Sequence, residues 1–293
     1  MWTEQVSLPH PAQTLASPLH IEGIGLHSGA RARLTLCPHD APGWWARGAD
    51  GQAVPLAAAQ VVNTAHATTL ALPSGERWAT LEHALGAISG LWLDAVCVSL
   101  TSDAPPAQPR EAPILDGSAW PWVEAILAAG LRPVPWPRAA LRLRAPWSLT
   151  LGDGPRAPRL SLAPCDRRVA RYVVAYDEPL PEGAGEVVWD EALDPFTEAV
   201  ARARTFAFRP WLEALQARGL IRGGSLDCAV VFDAGRPVNP EGLRFVNEPA
   251  RHKVLDLLGD LALLGAPLLA RAEVSFGGHD LHAQAVAALR SPR

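Results

Sequence analysis

Two stretches, one in each half of the chain, repeat a single pattern. "EHALGAISGL" begins at Glu82 and "RHKVLDLLGDL" begins at Arg251. In each, a charged residue precedes a histidine and a glycine follows seven positions after it. The apolar spacing between them is helical, with strand-like segments on either side. A helix of this kind must bury its apolar stripe against another element. The economical reading is a duplicated α/β unit whose two helices face each other across an interface. Strand signals accompany them at "ARLTLC", "AVCVSL", "RLSLAP", "RYVVAY", "CAVVFD" and "RAEVSF". Few helices among many strands make an α/β or α+β architecture.

The stretch "LRPVPWPR", residues 131–138, holds three prolines. It follows the helix-like "AWPWVEAILAAG" and precedes the strand-like "AALRLRAPWSLTL". Proline clusters punctuate chains, so a domain boundary is expected here, with an N-terminal α/β domain over 1–134 and a C-terminal one over 139–293.

No G-x-G-x-x-G follows a strand to open a helix, and no P-loop lysine motif is present, so a dinucleotide-binding fold is not supported. The formal charge of −4 argues against nucleic acid as the main partner. Cys37, Cys97, Cys165 and Cys228 are far apart and suggest reduced thiols in a cytosol. The N-terminal stretch lacks the pattern of a signal peptide. The longest apolar tract, residues 261–270, is about half of the roughly 20 residues that span a bilayer. A soluble protein is expected, one that still touches a membrane surface.

Lys253 is the only lysine among 293 residues. On a helix it shares a sector about 100° wide with His252, Asp256 and Asp260, while Val254, Leu257, Leu258 and Leu261 form the apolar stripe opposite. A solvated polar face is the ordinary explanation of such a sector. Against it stand the mixture of imidazole with carboxylates and the apolar character of the rest. His252 and Asp256, at i and i+4, have the spacing that grips one metal ion. A catalytic zinc takes a third protein ligand, most often histidine. His10, His20 and His39 sit in loop-like contexts, and His66 in "NTAHATT" suggests a turn or strand end. His83 lies opposite its helix's apolar stripe beside Gly86, Ala87 and Gly90, small residues that leave room for an approaching group. Glu82 adds a carboxylate.

The ordered set "IEGIGLHSG", "TLEHALGAISGL", "PILDGSAWP", "RARTFAF", "GLIRGGSLDCAVV", "LRFVNEPARHKVLDLLGDL" and "GGHDLHAQ" closely resembles the UDP-3-O-acyl-N-acetylglucosamine deacetylases, over roughly residues 20 to 290. The family consists of zinc amidases of lipid A biosynthesis. The resemblance implies an α+β fold of two layered domains, helices sandwiched between outer sheets and the site at the domain interface. It implies Zn2+ held by His83, His252 and Asp256, and Glu82 as general base. It further implies His279 as general acid or oxyanion-stabilising imidazolium, Asp260 as its orienting partner, and Thr205 near the carbonyl oxygen. Phe206 and Lys253 match substrate-contacting residues. Trp211, Leu212 and Leu215 belong to the apolar side of a β-α-β insert, about 206–232, that forms an acyl-chain passage. The implied partner is an acylated UDP-amino sugar; a cytoplasmic monomer is expected alongside it.

Departures from the family pattern fall at Phe276, Asp280 and His282, and around "VVAYDEPLPEG". Arg209 and Arg222 bring charge near the expected passage. These departures are expected to affect nucleotide contacts and chain length, and none of them to touch the metal or the acid–base set. Three competing functions share the same residues: a zinc amidase of this fold acting on another acylated amino sugar, a silent binding homologue and a structural zinc protein. The last is disfavoured, because three ligands beside a free carboxylate describe an open site.

Overall fold

The computed structural model describes residues 2–291. Hydrophobic alternation sets the strands. In Arg31–Pro38, Ala32, Leu34 and Leu36 turn inward while Arg31, Arg33 and Thr35 do not. The expected strand signals all fall within or overlap strands: Arg31–Pro38, Ala95–Ser102, Arg159–Pro164, Val169–Val173, Val230–Asp233 and Leu268–Ser275.

One hydrogen-bonded path crosses the molecule. It runs Trp147–Thr150, Arg159–Pro164, Leu268–Ser275, Leu131–Leu143, Thr3–Leu15, Ala95–Ser102, Arg31–Pro38, Leu19–Ile24. The proline-rich stretch is therefore a strand and not an irregular linker. Leu131–Leu143 pairs antiparallel with Thr3–Leu15, and its far end pairs parallel with Leu268–Ser275. Pro133, Pro135 and Pro137 alternate, so their missing N–H groups all face one side of the strand. The register shifts at Pro11 and Gln13, where irregular pairing tolerates lost donors. His10 and His20 likewise lie in strands, both exposed.

The helices are α1 (Glu82–Gly90), α2 (Trp120–Ala129), α3 (Phe196–Ala199), α4 (Arg209–Ala217), α5 (Glu248–Leu261) and α6 (His279–Arg290). Every residue of α1 is buried, and so is α5 apart from Arg251 and Lys253. Such helices are covered on all sides, as a sandwich between sheets requires. The two halves of the repeat, α1 and α5, pack directly on each other. A Cβ on Gly259 would stand 2.0 Å from the carbonyl oxygen of Glu82, and one on Gly86 would stand 2.5 Å from Leu255 Cδ1. Backbone thus touches helix at both places, and the pairing of 82 with 259 and 86 with 255 makes the helices antiparallel. No described helix is long and apolar enough to cross a membrane.

A smaller unit projects beside α5. Phe206–Phe208 and Val230–Asp233 pair in parallel and α4 connects them. Its own small core is Phe208, Val230 and Phe232.

Candidate active site

The site grows from the α1–α5 contact. Because α1 begins at Glu82, its first turn delivers Glu82 and His83 against the face of α5 that carries His252, Asp256 and Asp260. All five side chains are buried. Asp256 Oδ1 lies 3.8 Å from His83 Nε2 and 3.4 Å from His252 Nε2. It is buried and accepts no hydrogen bond. His252 donates Nδ1–H to the carbonyl of Ala203 at 3.0 Å, which leaves the Nε2 lone pair facing Asp256. Burial lowers the pKa of His83 to about 3 and also lowers that of His252, so both rings are neutral. Two neutral imidazoles and a bare carboxylate oxygen, their ligand atoms within 4.8 Å of one another, are a donor set that fits a zinc ion.

The other oxygen of Asp256 accepts from Lys253 Nζ at 2.8 Å. Burial opposes charge on Lys253, but the attraction of Asp256 wins and its pKa is raised. Asp256 itself is held well below the usual carboxylate range: burial pushes it up, and Lys253 with the surrounding imidazoles outweighs that.

Glu82 Oε2 is buried without a partner, and its Oε1 lies 3.7 Å from His279 Nε2. Burial raises the Glu82 pKa to about 8, partly offset by the charge of His279. His279 opens α6 just after Gly277 and Gly278 and donates Nδ1–H to Asp260 Oδ2 at 2.8 Å. Burial disfavours its charge, yet Asp260 and Asp256 raise its pKa to about 9, so it is an imidazolium at neutral pH.

Asp260 holds more than sequence reasoning assigned to it. Its Oδ1 accepts from the hydroxyl of Thr68 at 2.6 Å, and its Oδ2 also accepts from His282 Nδ1 at 2.8 Å. This corrects the expectation that the departures spare the acid–base set. His282 is fully buried and bonded to the partner of His279, because three residues along a helix return to the same face. Asp280 points away and bonds Gln284. Phe276 holds a positive φ of 57° ahead of the two glycines.

A cavity of about 530 Å³ opens over these groups. Glu82, His83, His252, Lys253, Asp256, His279 and Thr205 line its polar end. Phe206, Trp211, Leu212 and Leu215 line its apolar extension, joined by Tyr176 from the departing stretch "VVAYDEPLPEG". Neither Arg209 nor Arg222 lines it; Arg209 pairs with Asp233 at 2.9 Å on the surface. Thr205 is fixed by its backbone, which donates to the carbonyl of Gly117 at 2.7 Å and accepts from Val230 at 2.8 Å. Gly117 has φ of 78°, and a Cβ there would fall 1.9 Å from the Cys228 carbonyl, so this crossing requires glycine. His27 and His66 also line the cavity, with His66 in the bend expected for it. His27 stands inside a motif already singled out, so a signal for it existed.

The small residues of α1 do not leave room around His83. Leu255 fills the space at Gly86, and Phe196 stands 2.3 Å from where a Gly90 Cβ would be. They are contact surfaces that let the helices close on the site.

The central helix pair of this α+β fold thus brings together two imidazoles, a carboxylate and a flanking glutamate, a group that could hold a metal ion, and the family and relatives that the sequence matches are deacetylases, that is, amide hydrolases. The sequence matches the LpxC family, UDP-3-O-acyl N-acetylglycosamine deacetylase, over residues 12–291, and the chain belongs to that family. A UDP-3-O-acyl-N-acetylglucosamine deacetylase of Anaeromyxobacter sp. (strain Fw109-5) is 41% identical over 92% of this chain and 85% of its own length. Proteins of the same name from Myxococcus xanthus (strain DK1622), 37% identical, and Saccharophagus degradans, 35% identical, each cover 92% of this chain and 83% and 87% of their own lengths.

Proposed function

We propose that this deacetylase hydrolyses the N-acetyl group of a UDP-3-O-acyl-N-acetylglucosamine and releases acetate, with a zinc ion held by His83, His252 and Asp256. The observation that carries the reading is the bare, buried Oδ1 of Asp256 facing two neutral imidazoles beside an unpartnered Glu82. The names of the relatives support the substrate.

Zinc, when bound, supplies Lewis acidity toward water and the amide carbonyl. The side chains do the rest. Glu82, whose pKa burial raises to about 8 and a bound cation would lower, accepts in its ionised form the proton of the attacking water through its free Oε2. Thr205 and the His279 imidazolium offer donors to the oxyanion that develops on the carbonyl. The nitrogen leaves as an amine once it gains a proton from Glu82 or His279. Because Asp260 occupies His279 Nδ1, the Nε2–H is the one available to the substrate.

Lys253 keeps Asp256 charged and presents an ammonium to the cavity 5.8 Å from the Phe206 ring. A compact ammonium fits where a planar guanidinium would crowd the metal ligands. The apolar wall of Phe206, Trp211, Leu212 and Leu215 suits the acyl chain of the substrate. The same reading takes the chain as a cytoplasmic monomer that touches a membrane surface transiently.

The test is acetate release from UDP-3-O-acyl-N-acetylglucosamine by purified, zinc-loaded protein. Release that depends on the 3-O-acyl group is expected. No release from this substrate, together with release from another acylated amino sugar, moves the assignment to that sugar.

A further inference from the structure

Behind His279 lies a polar chain that the reaction above leaves unused. His282 and Tyr172 are both fully buried, and neither lines the cavity. The Tyr172 hydroxyl lies 3.1 Å from His282 Nε2, and His282 Nδ1 lies 2.8 Å from Asp260 Oδ2. The same carboxylate oxygen receives His279 Nδ1, also at 2.8 Å. The ionised Asp260 can only accept, so His282 carries a proton on Nδ1, and the Tyr172 phenol, kept protonated by burial, is the donor to the free Nε2 of the neutral ring. The direction of the chain follows. Tyr172 donates to His282 Nε2, His282 donates from Nδ1 to Asp260, and Thr68 donates to the remaining oxygen at 2.6 Å.

We propose that Tyr172 and His282 are positioning residues, which lock the Asp260 carboxylate in the orientation that aims His279 Nε2 into the cavity. A carboxylate turns about its Cβ–Cγ bond unless donors hold both oxygens. Thr68 alone holds Oδ1, and His279 is the group to be positioned, so it cannot also be the anchor. His282 is the anchor for Oδ2. Its own ring is pinned at the far nitrogen by Tyr172, which excludes the flipped ring and the other tautomer. A structural role alone asks only for volume, which an apolar side chain would supply without leaving a phenol hydroxyl stranded in the interior. The kinetic part of this inference rests on the deacetylase reading; the tautomer part does not.

The experiment combines Tyr172→Phe, His282→Asn and the double variant in zinc-loaded full-length protein. Tyr172→Phe removes one oxygen and keeps the packing. Outer hydrogen-bond partners of active-site groups typically matter by about 10- to 100-fold, so each single variant is expected to lose about 10-fold in kcat with KM within about twofold. Since Tyr172 acts through His282, the double variant should lose about 10-fold and not about 100-fold. Nitrogen-15 spectra of the histidine rings should show His282 with its proton on Nδ1 in the parent and a mixture of tautomers in Tyr172→Phe. Parent-like kcat in Tyr172→Phe, losses that multiply in the double variant, losses confined to KM, or a His282 proton on Nε2 would each overturn the proposal. A parent that releases no acetate while its spectra show the Nδ1–H tautomer overturns the substrate reading instead and leaves the positioning chain standing.

Discussion

Asp256 serves two masters, one on each oxygen: Lys253 at 2.8 Å on Oδ2 and the imidazoles of His83 and His252 on Oδ1. The i, i+4 spacing of His252 and Asp256 makes this pair legible in the sequence, because helix geometry alone puts them on one face. The partners of Asp260 are legible only in part. His282 follows His279 by three residues on one helix, a visible signal, whereas Thr68 and Tyr172 come from remote segments and announce nothing. Two predictions belong to this scale. Glu82→Ala should retain fold and zinc and lose about 10²- to 10⁴-fold in kcat, the usual weight of a general acid–base group; turnover within twofold of the parent would remove Glu82 from the role of base. The second concerns pH. Glu82 must be ionised and His279 protonated, so the profile should be bell-shaped. The Asp260 charge raises the His279 pKa, toward about 9 without metal, and bound zinc lowers both limbs because a cation favours the deprotonated forms. Asp260→Asn deletes the negative neighbour, so the imidazolium loses its proton sooner and the basic limb moves to lower pH. The acid limb should move the same way by a smaller step, because Asp260 also raises the Glu82 pKa but bonds His279 directly. A basic limb unmoved in zinc-replete Asp260→Asn would mean that another group sets it.

Glycines set how closely the two central helices approach. The repeat in the sequence carries a glycine seven residues after each histidine, and the structure gives these glycines opposite partners: Gly90 meets the Phe196 ring, while Gly259 meets the Glu82 backbone. The pattern thus reveals that two helices meet but not which small residue touches what, since contact partners depend on the rotation of each helix. The two kinds of neighbour predict different costs. A methyl at Gly86 meets the end of the Leu255 side chain, which can turn aside. A methyl at Gly259 meets a carbonyl oxygen 2.0 Å away, and only movement of the whole of α1 relieves it. Overpacking typically costs about 1–3 kcal/mol, so Gly86→Ala should sit near the low end and Gly259→Ala at or beyond the high end. Denaturant titration measures this. Gly259→Ala should also lose kcat beyond its loss of stability, because the displaced backbone is that of Glu82. Equal stability losses in the two variants would contradict this account of the interface.

The expected division at residues 134–139 meets a molecule whose halves share one sheet path. Proline density is a good signal of interrupted structure when the missing N–H groups fall on both sides of a strand. In Leu131–Leu143 they alternate onto one side, and the strand survives between Thr3–Leu15 and Leu268–Ser275. Two α/β halves with an echoed helix remain the proposed architecture, but their folding should be shared. The α1–α5 contact buries helix from each half in a common hydrophobic core, and Thr3–Leu15 finds its long partner only beyond Gly130. Small cooperative units unfold in one transition when their cores are continuous. The full chain should therefore lose far-ultraviolet dichroism and tryptophan signal together on heating, with one midpoint. A fragment of residues 1–130 would leave Thr3–Leu15 without its long antiparallel partner and α1 without α5. An open edge and an uncovered apolar helix drive association, so this fragment should aggregate or remain unfolded. Two separated transitions in the full chain, or a monomeric folded fragment 1–130, would show that each half carries its own stability. The active site would then form by docking two finished domains instead of by completing one fold.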